Sequence, residues 1–305
     1  MRLDILVTGG TVFASRYTAE YFAAKGHNVF VLNRGSRPQP SGVTPIIADR
    51  HNLANELKER HFDTVIDVTA YNEKDINDLI NGLGSFDCFV FISSSAVYTE
   101  NLPQPFKETD QVGENSIWGK YGTDKIAAEK ALFSRIPNAY VLRPPYLCGP
   151  INNLHREAFV FECAEQDREF YIPKLGEMKL QFFHIGDLCR VIEAILQNKP
   201  AQHIYNVGYD TPISVIEWVE LCYSIAGKTP HFEHVTESIP QRSYFPFYDY
   251  EYVLDVSAMN TLISDLTPLE ESMRQSYEWF VSNRNSIVRK PLIEFIDKEL
   301  RKEKL

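Results

Sequence analysis

Tyr121 and Lys125, four residues apart, form the pair in this sequence that is best suited to move a proton. Residues at this spacing share one face of an α-helix. A lysine ammonium beside a phenol lowers the phenol pKa from about 10 toward neutrality, and such a phenol can exchange a proton with a substrate oxygen. Tyr21 and Lys25 repeat the spacing, so spacing alone does not decide between the two pairs.

The neighbouring elements favour Tyr121 over Tyr21. An apolar strand ends in Ser93, Ser94 and Ser95, and Tyr121 begins the helix that leads to the next strand. Ligands of open α/β sheets bind at the carboxyl ends of the strands, so we expect a serine hydroxyl and Tyr121 to meet one substrate oxygen. Tyr21 lies late in its own helix, away from those strand ends, which argues against a catalytic role.

The segment LVTGGTVFAS, Leu6 to Ser15, places a glycine-containing turn between a first strand and a helix. The free N–H groups and positive dipole of a helix N-terminus suit a pyrophosphate, and Gly9 and Gly10 allow the tight turn. Val12 and Ser15 occupy the other glycine slots of the fingerprint G-x-x-G-x-x-G, and Val12 is expected to push a pyrophosphate outward. The loop alone leaves both a cofactor site and a plain glycine turn open.

The end of the second strand, VLNRGSR, bears on the type of cofactor. An acidic residue there holds the adenosine ribose 2′-hydroxyl of NAD, but Asn33 occupies this position and Arg34 follows. A guanidinium suits a 2′-phosphate, so the sequence favours NADP over NAD, with Arg37 close by. The alternative is that both arginines are solvated loop residues. The third strand ends in Asp49 and Arg50, which are expected near the adenine.

Composition and charge narrow the class of protein. The 305 residues carry a formal net charge of −10, which argues against nucleic acid as the main partner. Five scattered cysteines form no C-x-x-C pair, and this favours free thiols in a reducing compartment. Without a signal-peptide pattern or an apolar run of about 18 residues, we expect a cytoplasmic protein with no membrane span. The histidines lack the spacing of metal ligands, and we expect no metal site.

Short apolar runs alternate with amphipathic stretches through the first half of the chain. Near-continuous apolar strands separated by helices predict an α/β fold with a doubly wound parallel sheet. The predicted strands are 3–8, 27–33, 43–49, 63–70, 87–95 and 138–144. The predicted helices are 14–26, 53–61, 73–83 and 122–135. After Pro150 the pattern loosens, until a strand, a helix and a further strand return between 181 and 208.

Six segments resemble, in their order along the chain, the extended short-chain dehydrogenase/reductases, the NAD-dependent epimerase/dehydratase group. They are LVTGGTVFAS, FISSSAVYTE, YGTDK, LRPPYLCGP, QFFHIGDLCRVIEAI and YNVGYDTPISVIEWVE, within about residues 3–282. The resemblance implies a Rossmann-type NAD(P)-binding domain at 1–150 plus about 182–208. A smaller C-terminal substrate-binding part would span about 151–181 plus 209–282, with a helical tail at 283–305. The apolar stripe of that tail either packs on the body or forms a homodimer contact.

The resemblance also implies a role for each matching residue. Tyr121 would be the catalytic acid/base, and Lys125 would bind the nicotinamide ribose and tune Tyr121. Ser94, four residues before Tyr98, would bind the substrate oxygen. Besides Tyr121 and Lys125, the implied cofactor-binding residues are Gly9, Gly10, Thr11, Val12, Phe13, Asn33, Arg34, Asp49, Arg50, Thr69, Ala70, Tyr71, Ser93 and Pro144. The implied substrate-binding residues are Ser95, Tyr146, Asn153 and Arg242.

Four positions bear on the substrate. Ser95 and Ala96 stand where the 4,6-dehydratases carry an Asp-Glu pair, and neither can remove the C5 proton of a sugar, which argues against dehydration. Tyr146 stands where many sugar-nucleotide epimerases carry Asn. Arg242 lies about where the family places a diphosphate-binding arginine, with a surface arginine as the alternative. We therefore expect a small-molecule substrate of the nucleotide-sugar type.

The pattern T-G-G-T-x-F resembles an atypical branch, written GGTxFxG, that includes chloroplast stem-loop RNA-binding relatives. Some atypical members have lost the tyrosine and act as cofactor-sensing regulators. Because Ser94, Tyr121 and Lys125 are all present, we expect an NAD(P)-dependent epimerase or reductase that transfers a hydride at a secondary alcohol or ketone. A regulator or RNA-binding relative without turnover is the alternative.

Overall fold

The computed structural model describes residues 2–53 and 55–301, and among them seven parallel strands form one main sheet. Elements are numbered in chain order, and the strands of this sheet are β1 Asp4–Thr8, β2 Asn28–Asn33, β3 Val43–Ile47, β4 His61–Asp67, β5 Ser85–Ile92, β6 Tyr140–Arg143 and β11 Ile204–Asn206. The shorter strands are β7 Tyr146–Cys148, β8 Phe170–Pro173, β9 Lys179–Leu180, β10 Phe182–His184, β12 Ile213–Ser214 and β13 Phe232–Val235. The predicted doubly wound parallel sheet is confirmed.

Four long helices pack in two pairs along this sheet. The helix α1 (Phe13–Ala24) packs against α5 (Ile185–Asn198), and α2 (Glu73–Gly82) packs against α3 (Lys120–Arg135). One buried cluster joins strand residues to α2 and α3, and includes Leu6, Val65, Phe91, Ile76, Leu79, Ala128 and Leu132. Because helices bury the strands, the strands read as near-continuous apolar runs in the sequence.

The helix predicted at 53–61 is wrong. Residues 55–59 form successive turns, and β4 already begins at His61. Leu53 and Leu57 are buried in the core cluster beside α2, so their spacing reflects burial without a helix. Ala54, part of the same prediction, lies outside the described residues.

The strand order β11-β6-β5-β4-β1-β2-β3 reverses between β1 and β4. From β1 the chain adds strands in one direction, and from β4 it adds them in the other. In open α/β sheets, ligands bind in the crevice outside the carboxyl ends of the strands at such a switch point. The loops after β1 and β4 are therefore where a ligand site is expected.

The chain divides into two compact units. The first consists of Met1–Leu147, Phe183–Asp210 and Leu254–Leu266, and the second of Cys148–Phe182, Thr211–Val253 and Thr267–Leu305. The segment 254–266 therefore belongs to the unit that contains the sheet, whereas the sequence placed it in the substrate-binding part. In the described part of the chain, no helix has both the length and the apolar character that crossing a membrane requires.

The second unit contains four α-helices and two short pairs of strands. Its helices are α4 Glu157–Glu165, α6 Val215–Ile225, α7 Leu269–Ser282 and α8 Leu292–Phe295. The strands β8 and β13 pair in parallel, and β9 and β12 pair antiparallel. After α8 the chain continues through a π-helical turn, Ile296–Leu300, in which Ile296 and Leu300 are buried. The predicted apolar stripe thus packs within this unit as far as residue 301, and residues 302–305 lie outside the described part.

Candidate active site

The turn after β1 leaves no room for side chains in place of its two glycines. Gly9 and Gly10 have φ of +86° and +73°, in the left-handed region that favours glycine. A Cβ on Gly9 would lie 2.7 Å from Thr69 Cγ2, and a Cβ on Gly10 would lie 2.5 Å from Val31 Cγ1. Val12 precedes α1 and makes no side-chain hydrogen bond to its first turn. The N–H groups at the start of α1 can therefore bind an anion.

A cavity of about 400 Å³ opens beside this turn, just beyond the ends of β1, β2, β3 and β4. Its lining includes eight predicted cofactor-binding residues, which are Gly9, Thr11, Asn33, Arg34, Asp49, Arg50, Thr69 and Tyr71. Eight others that were predicted do not line it, namely Gly10, Val12, Phe13, Ala70, Ser93, Tyr121, Lys125 and Pro144. The sequence analysis missed Ser36 and His51, which also line the cavity.

Asn33 organises the loop after β2. Its Nδ2 donates to the carbonyl oxygen of Gly9 at 2.8 Å and to Gln39 Oε1 at 2.9 Å. Arg34 and Arg37 lie in the same loop and line the cavity. Within the residues that the structure describes, no carboxylate lies within ion-pair distance of either guanidinium. This corner of the cavity therefore carries two positive charges that are not paired with any carboxylate of residues 2–53 and 55–301.

Ser94 and Tyr121 meet at the end of β5. Their side chains interact, because Ser94 lowers the pKa of Tyr121, and Ser94 Oγ accepts the N–H of Ala96 at 3.2 Å, which fixes its hydroxyl. Gly122 lets α3 approach this turn, because a Cβ there would lie 2.4 Å from the carbonyl oxygen of Ala96. Tyr121 is 41% exposed, so a ligand at this edge of the sheet can reach it.

Lys125 lies one helical turn beyond Tyr121 and is buried. Its Nζ donates to the carbonyl oxygens of Ala70 at 2.8 Å and Ile92 at 2.9 Å. The Phe91 ring centroid lies 4.7 Å from Nζ. Burial lowers the pKa of Lys125 to about 8, against nearby carboxylates that raise it. An ammonium has three donors, so one N–H remains beyond the two carbonyl bonds.

The expected lowering of the Tyr121 pKa by Lys125 is wrong. Partial burial raises the pKa of Tyr121, the interaction with Ser94 lowers it, and Tyr71 raises it, with a net increase. The Lys125 ammonium, buried and bonded to two backbone carbonyls, is not among the groups that shift this pKa. Ser94 is therefore the residue of this group that favours ionisation of the phenol.

The sequence analysis did not identify a buried ion pair beside the three serines at 93–95. Glu129 accepts a hydrogen bond from Ser93 Oγ at 2.5 Å and pairs with Arg143 Nη2 at 2.6 Å. Arg143 also donates to the Tyr98 hydroxyl at 2.9 Å. The Ser93 hydroxyl, predicted to bind cofactor, is thus bound within the protein. Glu129 follows Lys125 by four residues, and this spacing was a signal that could have identified it.

Two of the predicted substrate-binding residues lie in the first unit. Ser95 is buried, and its N–H donates to the carbonyl oxygen of Pro144 at 3.0 Å. Tyr146 is the first residue of β7. The backbone bond from Ser95 holds the end of β5 against the end of β6, which positions Ser94.

The other two predicted substrate-binding residues lie in the second unit. The Asn153 carbonyl oxygen accepts the N–H of Val288 at 2.9 Å. The Arg242 guanidinium lies 4.6 Å from the centroid of the Tyr248 ring, a cation–π arrangement. Tyr248 is partly exposed, so this pair offers a flat cationic surface to solvent.

One group of possible metal ligands lies apart from the cavity. His61, Asp63 and Asp87 each place one ligand atom within 4.8 Å of the others. His61 and Asp87 are exposed, and such surface groups commonly meet without binding an ion. His61 and Asp63 are two residues apart on β4, but Asp87 lies 24 residues further along the chain on β5, which is why ligand spacing did not reveal the group.

Comparison with known proteins settles the family. A model described as the NAD dependent epimerase/dehydratase family matches residues 5–208, more than half of the chain. The chain belongs to the NAD-dependent epimerase/dehydratase family. The resemblance inferred from the six sequence segments is thereby confirmed.

Curated relatives of this family member share little sequence identity with it. The chloroplast stem-loop binding protein of 41 kDa b of Arabidopsis thaliana is 23% identical over 275 residues, which cover 83% of this chain and 72% of that protein. A probable GDP-L-fucose synthase 1 of Oryza sativa subsp. japonica is 23% identical over 222 residues, covering 66% of this chain and 64% of that protein.

Solved structures of family members have the same fold. The dTDP-glucose 4,6-dehydratase of Bacillus anthracis in complex with NAD has a TM-score of 0.74 at 18% identity, covering 95% of this chain and 99% of that one. The UDP-glucose 4-epimerase of Thermotoga maritima with UDP-glucose has a TM-score of 0.72 at 19% identity, covering 92% and 99%. At such identities the likeness establishes the fold alone.

Proposed function

We propose that this chain is an NAD(P)-dependent epimerase or reductase that transfers a hydride at a secondary alcohol or ketone, with Tyr121 as acid/base. The observation that carries the proposal is the placement of Ser94 and the accessible Tyr121 side by side at the carboxyl edge of the sheet, where Gly122 lets α3 pack against Ala96. Membership of an NAD-dependent epimerase/dehydratase family supports it.

The residues of the glycine turn fit a dinucleotide. The left-handed backbone at Gly9 and Gly10 and the available N–H groups of α1 would hold a pyrophosphate. The remaining N–H of Lys125 would bind the nicotinamide ribose. When bound, the nicotinamide supplies or accepts the hydride. Tyr121 then exchanges the proton of the substrate hydroxyl, and Ser94 orients the same oxygen.

We infer that the cofactor is NADP rather than NAD. Arg34 and Arg37 bring two guanidinium groups to the adenosine end of the cavity, and Asn33 replaces the carboxylate that would repel a 2′-phosphate. The structural relatives in complex with NAD share less than a quarter of their residues with this chain, so they do not decide this preference.

We infer that the substrate is a nucleotide sugar. The Thermotoga maritima epimerase was solved with UDP-glucose, which supports this class of substrate for a chain of the same fold. Arg242, stacked on Tyr248, suits a diphosphate and a base. Ser95 and Ala96 lack a group that removes a C5 proton, so we favour epimerisation or reduction over 4,6-dehydration.

Native mass spectrometry of freshly purified protein tests this proposal. We expect an added mass equal to NADP, and the same spectrum reports whether two chains associate. A cofactor that stays bound favours an epimerase, which returns the hydride to the same substrate. Protein that neither retains nor binds added NADP or NAD would contradict the proposal.

A second candidate function is nucleic-acid binding without turnover. The relative described as a chloroplast stem-loop binding protein favours it, and the net charge of −10 counts against it. Salt-dependent binding of a stem-loop RNA at physiological ionic strength, without turnover of any nucleotide sugar, would reverse the ranking of the two functions.

A further inference from the structure

Asp67, the last residue of β4, is fully buried and accepts hydrogen bonds from three sides. Its Oδ1 accepts from the Thr8 hydroxyl at 2.7 Å and from the N–H groups of Thr69 at 3.1 Å and Ala70 at 3.0 Å. Its Oδ2 accepts from Arg50 Nη2 at 2.6 Å. One carboxylate thus joins the strand before the glycine turn, the turn after β4 and the edge of the cofactor cavity.

The turn that Asp67 organises also holds Lys125. The Ala70 N–H donates to Asp67, and the Ala70 carbonyl oxygen accepts the Lys125 Nζ bond at 2.8 Å. Both hydrogen bonds are made by the backbone of Ala70, so the position of the Asp67 carboxylate constrains the position of the Lys125 ammonium. Arg50 extends this connection to the cavity, which its side chain lines.

We propose that Asp67 and Arg50 are positioning residues that set the orientation and the charge of Lys125. The catalytic meaning of this inference rests on the proposed function, but the charge of Lys125 can be measured without a substrate. The two residues act as a balanced pair, in which the carboxylate favours the ammonium and the guanidinium opposes it.

Charged groups face Lys125 from several elements. Asp67 on β4, Glu129 on α3 and Asp75 on α2 raise its pKa, and Arg50 lowers it, while burial lowers it most. Glu129 is paired with Arg143, and Asp75 forms the capping box of α2, so neither is free to respond to a ligand. The Tyr71 ring, 5.3 Å from Nζ, covers the outer side. Arg50 and Asp75 are the charged groups among these that line the cavity, and Arg50 is the one that pairs with Asp67.

Replacing Asp67 and replacing Arg50 should shift the pKa of Lys125 in opposite directions. Asp67→Asn removes a negative charge while its amide oxygen can still accept hydrogen bonds, so the pKa of Lys125 should fall. Arg50→Gln removes a positive charge, so the same pKa should rise. Asp67 keeps three hydrogen-bond donors in the second variant, which should therefore fold. A merely structural role would not produce shifts of opposite sign.

The experiment is a pH titration by NMR of protein labelled with ¹³C at the lysine ε-carbon. The resonance that disappears in Lys125→Met is assigned to Lys125. In the wild type, the titration midpoint of this resonance should lie near pH 8. We expect a midpoint about one pH unit lower in Asp67→Asn and higher by a similar amount in Arg50→Gln. Asp78→Asn, with the same change of charge on the exposed side of α2, should leave it unchanged.

The inference is overturned if both midpoints move the same way or if neither moves. Should Asp67→Asn fail to fold by circular dichroism, Arg50→Gln alone decides, and an unchanged or lowered midpoint overturns the inference. NADPH fluorescence titrations on the same samples separate this inference from the proposed function. If the Lys125 midpoints shift in opposite directions but the wild type does not bind NADPH, the inference about Asp67 and Arg50 holds and the proposed function is contradicted.

Discussion

Tyr21 donates a hydrogen bond of 2.8 Å to the Glu193 carboxylate, and so the second copy of the Tyr-x-x-x-Lys pattern connects two helices. Lys25 contacts the same carboxylate at 3.1 Å, which fastens α1 to α5. Burial and Glu193 raise the pKa of Tyr21. Tyr121 instead lies at the carboxyl edge of the sheet beside Ser94. Position and contacts, and not spacing, separate the structural copy from the candidate catalytic one.

Replacing Tyr121 by Phe should abolish most turnover while Tyr21→Phe should not. Loss of a general acid/base typically reduces the rate by about 10²–10⁴-fold. We expect kcat for a nucleotide sugar to fall within that range in Tyr121→Phe. Tyr21→Phe, the matched control, removes only the bond to Glu193. Undiminished turnover in Tyr121→Phe would refute the assigned role.

The features that could be predicted from the sequence depend on neighbours along the chain. The strands, the glycine turn at Gly9 and the helix that begins near Tyr121 each follow from a short pattern of apolar residues, glycine or polar ends. Ser94 could be placed near Tyr121 because both lie where parallel strands end. The same local reasoning wrongly predicted a helix at 53–61, because the buried Leu53 and Leu57 have the spacing of an apolar helix face.

The features that could not be predicted depend on contacts between distant residues. Asp67 bonds Thr8 and Arg50, which lie 59 and 17 residues away. Lys125 bonds Ala70 and Ile92, which lie 55 and 33 residues away. No local pattern shows that Lys125 donates to these carbonyls, so the effect of Lys125 on the Tyr121 pKa could not be read from their spacing.

Removing Arg34 and Arg37 should abolish any preference for NADPH over NADH. Hydrogen bonds to charged groups contribute about 1.5–3 kcal/mol each, or about tenfold or more in Kd. We expect Arg34→Ala/Arg37→Ala to bind NADPH at least about tenfold more weakly in a fluorescence titration, with little change for NADH. Arg135→Ala, on the exposed end of α3, is the control. Equal losses for both cofactors would argue against a 2′-phosphate site.

Replacing Val12 by Gly should strengthen cofactor binding. Val12 has extended φ and ψ of −137° and 136°, so its backbone does not require glycine. Its side chain occupies a glycine slot of the fingerprint, where we expect it to hold a pyrophosphate away from the turn. Glycine is also a better N-cap than valine, so α1 should not lose stability. We expect a several-fold lower Kd for NADPH.

Ser15→Gly is the matched control for Val12→Gly. Ser15 Oγ donates to the Val12 carbonyl oxygen at 2.9 Å, so this variant changes a glycine slot without opening space beside the pyrophosphate. We expect no gain in affinity. A similar gain in both variants would mean that loop flexibility, and not the Val12 side chain, limits binding.

Glu157, on α4, should make the second unit less stable as the pH rises. The side chain is buried, and both carboxylate oxygens accept from Asn152 Nδ2, at 3.3 and 3.1 Å. Burial raises the pKa of Glu157 above its ordinary value. With a raised folded pKa, its contribution to stability is complete below the unfolded pKa of about 4.3 and is lost as the pH rises through the folded pKa.

Glu157→Gln keeps the shape of the side chain and an acceptor for Asn152 but cannot ionise. Between the unfolded and folded pKa values, the wild type should lose up to about 1.4 kcal/mol per pH unit relative to this variant. Melting temperatures measured from pH 4 to pH 9 should therefore diverge in favour of the variant as the pH rises. Glu220→Gln, on an exposed position of α6, should follow the wild type. Parallel curves for Glu157→Gln and wild type would mean that Glu157 ionises in the folded protein as readily as in the unfolded chain.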